Sequence, residues 1–194
     1  KYNIIISVGS LLLREAHSEK ILNRGFLLDG DGKCLAIYDK IHMFDVVLPN
    51  GEAFKASESY RPGERAVIAT SPWGSIGLTV CYDVRFPYLY RAVAQAGANI
   101  LTVPSAFTRR TGSAHWHILL RSRAIETGSF VVAPAQCGDH EDGRKSFGHS
   151  LIVDPWGEVL ADGGEKVGFV NAILDLEKVV EIRKMIPSLR HDRS

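Results

Sequence analysis

The chain has 194 residues, 45% of them hydrophobic and 23% charged, with a formal net charge of +1. That length suits one domain, taken as residues 1–194, with a core that needs neither disulfides nor metals, because such a domain buries roughly 70% of its unfolded surface. The near-zero charge removes the electrostatic case for nucleic acid or an anionic membrane as partner, and three scattered cysteines, Cys34, Cys81 and Cys137, point to a reducing, cytoplasmic setting rather than a disulfide framework.

Short β-type runs open the chain at residues 3–9, 25–28 and 34–38. The apolar stretch at Ile4-Ile5-Ile6 is far shorter than the ~20 residues of a membrane span, and no signal peptide is recognised. Asp29-Gly30-Asp31-Gly32 is a strong turn and predicts a hairpin between the second and third runs. A second β pair, 65–70 and 75–80, flanks Ser71-Pro72-Trp73-Gly74. Residues 86–98 predict a helix, with Leu89, Ala92, Val93 and Ala96 at helical spacing, and 99–103 an apolar strand. Residues 113–127 predict a second helix, with Trp116, Leu119, Leu120 and Ala124 on one side and Gly128 as its stop. Strands are expected at 130–135, 149–153 and 169–174, and a last helix at 176–186, closed by Pro187. The β-α-β-α-β order from residue 75 implies a layered α/β sandwich.

The segment Ile76-Gly77-Leu78-Thr79-Val80-Cys81-Tyr82-Asp83-Val84-Arg85-Phe86-Pro87 ends an apolar strand at a cysteine and starts a helix soon after. There a thiolate is stabilised by backbone N–H groups and the helix dipole, and can act as a nucleophile. The competing assignment is a small buried apolar residue, the commoner fate of a free cysteine. In Ala36-Ile37-Tyr38-Asp39-Lys40-Ile41-His42-Met43-Phe44, a strand delivers Lys40 into a polar and aromatic stretch. A lysine so placed can project its ammonium at a reacting carbonyl; taken alone it is more simply a solvated surface lysine.

Together these segments resemble the nitrilase, or carbon–nitrogen hydrolase, superfamily. The resemblance runs through Tyr38-Asp39-Lys40-Ile41-His42, Val80-Cys81-Tyr82-Asp83, Pro104-Ser105-Ala106-Phe107, His115-Trp116, Arg121-Ser122-Arg123-Ala124-Ile125-Glu126, Gly148-His149-Ser150 and Asp154-Pro155-Trp156-Gly157. It is strongest to the amidase branch acting on deaminated glutathione. It implies an α-β-β-α sandwich pairing into a four-layer homodimer, with the helices at 86–98 and 113–127 as the pairing surface. It also implies a Glu-Lys-Cys triad in which Cys81 is the nucleophile, Lys40 and the Tyr82 N–H hold the oxyanion, and Glu58 is an accessory carboxylate beside Lys40.

The triad glutamate of that family sits in a Pro-Glu segment, which the resemblance places on the N-terminal side of Lys1, together with the first strand and helices. Glu15 and Glu19 lie in a polar segment that reads as a loop without that context. The implied activity is amide hydrolysis on a small 2-oxo acid amide, with no cofactor. The alternatives are hydrolysis of an N-carbamoyl group, and a catalytically incomplete chain that serves only in assembly.

Arg85, Phe107 and Arg109 are candidate substrate contacts. Arg85 lies at the helix entrance. Arg109, in the loop expected after the 99–103 strand, could hold a carboxylate, although loop arginines are usually solvated. His115 and His117 do not make a metal pair, because i and i+2 point to different faces of a helix. Glu126 reads as a structural carboxylate.

Overall fold

The computed structural model describes residues 3–15, 18–47, 51, 53–141 and 143–193. Strands β1 (Ile6–Arg14), β2 (Ile21–Leu28) and β3 (Cys34–Asp39) form an antiparallel sheet in that order. The β2–β3 hairpin closes through Asp29 as expected: its Oδ1 accepts from the N–H groups of Asp31 and Lys33, and Gly32 supplies the positive φ of 81°. A small hairpin, β4 (Asp45–Val47) and β5 (Ala53–Lys55), leads into the one-turn α1 (Ala56–Ser59).

The main sheet is built from β6 (Val67–Ser71) and β7 (Gly74–Leu78), then α2 (Pro87–Gln95), β8 (Ile100–Thr102), α3 (Arg109–Thr127) and β9 (Phe130–Ala133). After the short pair β10 (Cys137–Asp139) and β11 (Lys145–Phe147), β12 (Leu151–Val153) and β13 (Val159–Asp162) complete it. Its order is β13-β12-β9-β8-β7-β6, with β7, β8 and β9 parallel, as the β-α-β-α-β alternation requires. The helix α4 (Glu177–Met185) follows.

Two apolar interiors result. Val93, Leu101, Trp116, Leu120 and Val131 lie between the helices and the main sheet, and Leu27, Tyr38, Ala69, Leu78 and Val80 lie between the two sheets. Ile41 and Cys81 pack against both. On β3, Ala36 and Tyr38 turn inward while Leu35 and Ile37 stay exposed, so the described residues supply a helix layer and two sheet layers and leave the outer face of β1–β3 open. No helix among the described residues is long and apolar enough to cross a membrane.

Three expectations need correction. The first strand runs over Ile6–Arg14 rather than 3–9, with an irregularity between Val8 and Leu11. The helix expected over 113–127 starts at Arg109, because Thr108 caps it: its hydroxyl accepts from the Thr111 N–H at 3.3 Å. Arg109 and Arg110 are therefore in a first helical turn and not in a loop. The run 169–174 belongs to none of the described strands, and Phe169 and Ile173 are exposed.

Candidate active site

Cys81 stands where β7 leaves the main sheet. Thr79 and Cys81 continue the parallel pairing, donating their N–H groups to the carbonyls of Thr102 and Pro104 at 3.2 and 2.9 Å. The chain then turns at once into a single 3-10 turn, Cys81–Arg85, before Pro87 opens α2 at a position where proline is favoured. The sharp change of direction forces Cys81 to φ 53°, one of two positive values at non-glycine residues among those described. Such strain persists only where surrounding structure over-determines it, and it collects at functional sites. The first N–H groups of a helical turn have no partner within it, so the Tyr82 N–H is available to a ligand.

Lys40 follows β3. Its side chain is 7% exposed, yet its ammonium makes no hydrogen bond or ion pair with any described residue. The lysine and the cysteine segments are fastened together through Asp83, which is completely buried. Tyr38 Oη and the Val80 N–H donate to Asp83 Oδ2 at 2.7 and 2.9 Å. The His42 N–H donates to Oδ1 at 3.0 Å, and the His42 ring lies with Nδ1 2.7 Å from the same oxygen. The ring also stacks on Phe86 at 3.6 Å, with Nε2 3.0 Å from Tyr88 Oη. Burial, reinforced by the Asp83 charge, pushes the Tyr38 hydroxyl far above its ordinary pKa and keeps it a donor. Residues 38, 40 and 42 are thus locked to residues 80–83 without any contact to Lys40 itself.

Both groups open into one cavity of about 620 Å³, also lined by Asn23, Ala56, Arg85, Phe107, Gln136 and Arg144. Among the described lining residues, Lys40, Arg85 and Arg144 are cations and none is a carboxylate. Arg85 is half-buried, with its guanidinium 5.4 Å from the Phe107 ring centre, 5.9 Å from that of Tyr82, and Nη2 3.2 Å from His115 Nδ1. Burial lowers its pKa. The Oδ1 of Asn23 is a buried acceptor without a partner among the described residues, a place for an incoming N–H. A neighbouring cavity shares Gln136 with this one but includes none of Lys40, Cys81 and Arg85.

The structure thus brings Lys40, Cys81, Tyr82, Arg85 and Phe107 to one cavity, and sets two candidates outside it. Glu58 is exposed and pairs with Lys55 at 3.1 Å; the cavity is lined instead by Ala56 of α1 and by Tyr60, which follows the helix. The expected accessory carboxylate beside Lys40 is therefore not Glu58 in this structure, because it projects from the other side of a one-turn helix. Arg109 is exposed and lies 3.6 Å from Asp139. Glu15, too, pairs with a surface arginine, Arg61, at 2.9 Å. Asn23, Asp83 and Arg144 were not singled out from sequence. Asp83 had a signal, a polar residue inside an apolar strand-to-helix junction; Asn23 and Arg144 had none. Glu126 accepts from the buried Arg123 at 2.6 Å, and its pKa is raised by burial despite that partner.

The family model "Carbon-nitrogen hydrolase" matches residues 1–184. A deaminated glutathione amidase from Synechocystis sp. is 44% identical over 174 residues, which are 89% of this chain and 64% of that protein. The crystal structure of the C. elegans NitFhit protein superposes with a TM-score of 0.92 at 42% identity, covering 98% of this chain and 47% of that one. A variant of the amidase from Nesterenkonia sp. AN1, showing covalent addition of the acetamide moiety of fluoroacetamide at its active site cysteine, superposes at 0.72 with 31% identity, over 86% of this chain and 59% of that one. The chain therefore spans between about half and two thirds of the length of these relatives, and its α/β sandwich is theirs.

Proposed function

The chain belongs to the carbon–nitrogen hydrolase family, and we propose that its cavity hydrolyses the amide bond of a small, carboxylate-bearing 2-oxo acid amide such as deaminated glutathione, by way of a thioester on Cys81. One observation carries this most directly: a strained cysteine and a buried ammonium, unpartnered among the described residues, open into one cavity that has no carboxylate in its described lining.

The Cys81 sulfur, having given up its proton to a base, attacks the amide carbon. Negative charge develops on the former carbonyl oxygen, where the Lys40 ammonium and the Tyr82 N–H receive it. The amide nitrogen takes a proton and leaves as amine or ammonia, and a thioester remains. Water then adds to the thioester carbon, the carbon–sulfur bond breaks, and acid and thiol are released. The base falls to a carboxylate outside the described lining residues. Arg85 is assigned to the substrate carboxylate, since a half-buried guanidinium with no ion-pair partner among the described residues is suited to a bidentate acid. Phe107 backs that guanidinium. Homodimerisation is assigned to α2 and α3, which carry the exposed Tyr88, Ile118 and Ile125.

The absence of a carboxylate from the described cavity lining favours a second possibility, that this stretch of chain folds and assembles without turnover. Release of amine or ammonia from a 2-oxo dicarboxylic acid monoamide decides between them, with fluoroacetamide labelling followed by mass spectrometry alongside. Turnover abolished by Cys81→Ala supports hydrolysis. Labelling of Cys81 without turnover supports the incomplete site, and neither labelling nor turnover overturns the assignment of Cys81.

A further inference from the structure

We propose that His117, His149 and Asp162 form a binding site for a divalent transition-metal ion of the zinc type, separate from the amidase cavity. His117 lies in α3, His149 in the segment before β12, and Asp162 at the end of β13. Their ligand atoms all fall within 4.8 Å of one another, and they are the one such group among the described residues. Asp162 bridges the two rings, with Oδ2 3.0 Å from His117 Nε2 and Oδ1 2.9 Å from His149 Nδ1. None of the three lines the cavity that holds Cys81.

Each member is held in place by something other than its neighbours in the cluster. His149 has φ 58°, the second positive value at a non-glycine residue among those described. Glycine is the unstrained choice there, so an imidazole is retained at a cost in backbone energy. Its N–H donates to Gly164 O at 2.7 Å, and its carbonyl accepts from Trp116 Nε1 at 2.7 Å. Its ring stacks on Phe147 at 4.4 Å and 22°, against which His117 also packs edge-on. The Gly164 N–H donates to Asp162 Oδ1 at 2.8 Å and fixes the carboxylate. Ring planes and carboxylate are therefore oriented before any ion arrives, which is the task of outer hydrogen bonds in metal sites.

Two imidazole nitrogens and one carboxylate oxygen select zinc, cobalt or nickel ions over magnesium or calcium, which take oxygen ligands. Zinc–nitrogen and zinc–oxygen bonds of about 2.0–2.2 Å bring ligand atoms to within about 3–4 Å of each other, so side-chain adjustments of about an ångström close the shell. In the occupied site each ring would offer the lone pair of the nitrogen that faces Asp162 and carry its proton on the other nitrogen; with two such neutral imidazoles and an ionised carboxylate the site would hold a net charge of +1. All three side chains are part-exposed, leaving room for water in the remaining coordination positions. Because the ligands come from three elements distant in sequence, an ion held only by the folded chain stabilises it.

The test is calorimetric titration of the whole chain with zinc chloride, alongside His117→Ala, Asp162→Asn and a Cys34→Ser control that removes the exposed thiol. Circular dichroism checks that each variant is folded. The expected result is saturable uptake of a single ion per chain, a raised unfolding midpoint with zinc, and unchanged binding in the control. His117→Ala and Asp162→Asn should each weaken binding by more than about tenfold, since loss even of an outer-shell partner costs about 10–100-fold. Absence of saturable uptake, or equal affinity in wild type and both ligand variants, overturns the proposal.

Discussion

Tyr38 donates its buried hydroxyl to Asp83 Oδ2 at 2.7 Å, and that bond joins the strand that delivers Lys40 to the turn that presents Cys81. Tyr38→Phe removes it and leaves one lobe of a buried carboxylate short of a donor. The expected cost is about 1–3 kcal/mol in stability. Because the brace between the Lys40 and Cys81 segments loses one of its links, turnover should fall more than KM rises. Urea unfolding and steady-state kinetics measure both. Unchanged turnover with lowered stability would mean that Asp83 braces the fold alone.

Lys40→Ala should lower the rate of amide hydrolysis by about 10²–10³-fold, the usual effect of losing an oxyanion donor. Glu58→Gln should leave it unchanged within experimental error, because Glu58 is paired with Lys55 on the surface. Comparable losses in the two variants would restore Glu58 to the site.

The legibility of the site followed the range of the interactions. Cys81 and its turn could be read locally, from an apolar strand, a thiol and Pro87 within a few residues. The caps of α3 are also written locally, in Thr108 and Gly128, and it is the first of them that puts Arg109 in a helical turn and not in a loop. The Asp83 network is a different case. It joins residues 38, 42, 80 and 83 through an approach of two sheets, which no periodicity encodes. The same holds for the run 169–174: its apolar residues are those of a strand, but a strand exists only with a partner, and none of the described strands pairs with it.

Arg85→Ala should raise KM for an acidic amide and leave a neutral amide of similar shape little affected. Arg109→Ala should change neither, since that guanidinium faces Asp139 at the surface. The ratio of kcat/KM for the two amides, in both variants, is the measurement. Equal losses on both substrates in Arg85→Ala would assign it to packing against Phe107 and Tyr82.

Iodoacetamide should modify Cys81 ahead of Cys34 and Cys137, although Cys34 is the most exposed of the three. The cavity around Cys81 carries Lys40 and Arg85, and thiolate character rather than access sets the alkylation rate. Peptide mapping over time gives the order. Faster labelling of Cys34 would show that exposure decides.

Burial alone raises the pKa of Asp162, but the Gly164 N–H and the two histidines outweigh it and bring it below 3.8. A carboxylate depressed by folding stabilises above its unfolded pKa and loses that contribution as pH falls through the folded value. Asp162→Asn should therefore be less stable than wild type at about pH 7, and the gap should close below 3.8. Urea midpoints across that range test the sign. A gap that persists in acid would trace to geometry rather than charge.

The positive φ of Cys81 restricts which residues evolution can try there. A left-handed backbone costs a non-glycine residue about 1–2 kcal/mol, and a β-branched one still more. Threonine is thus closed as an alternative nucleophile at this position, and serine is the aliphatic hydroxyl the backbone tolerates. Glycine is the residue the turn itself prefers. In a lineage released from selection for chemistry, Cys81→Gly relieves the backbone strain but gives up the contacts of Cys81 with both interiors, so the drift there is set by the balance of the two.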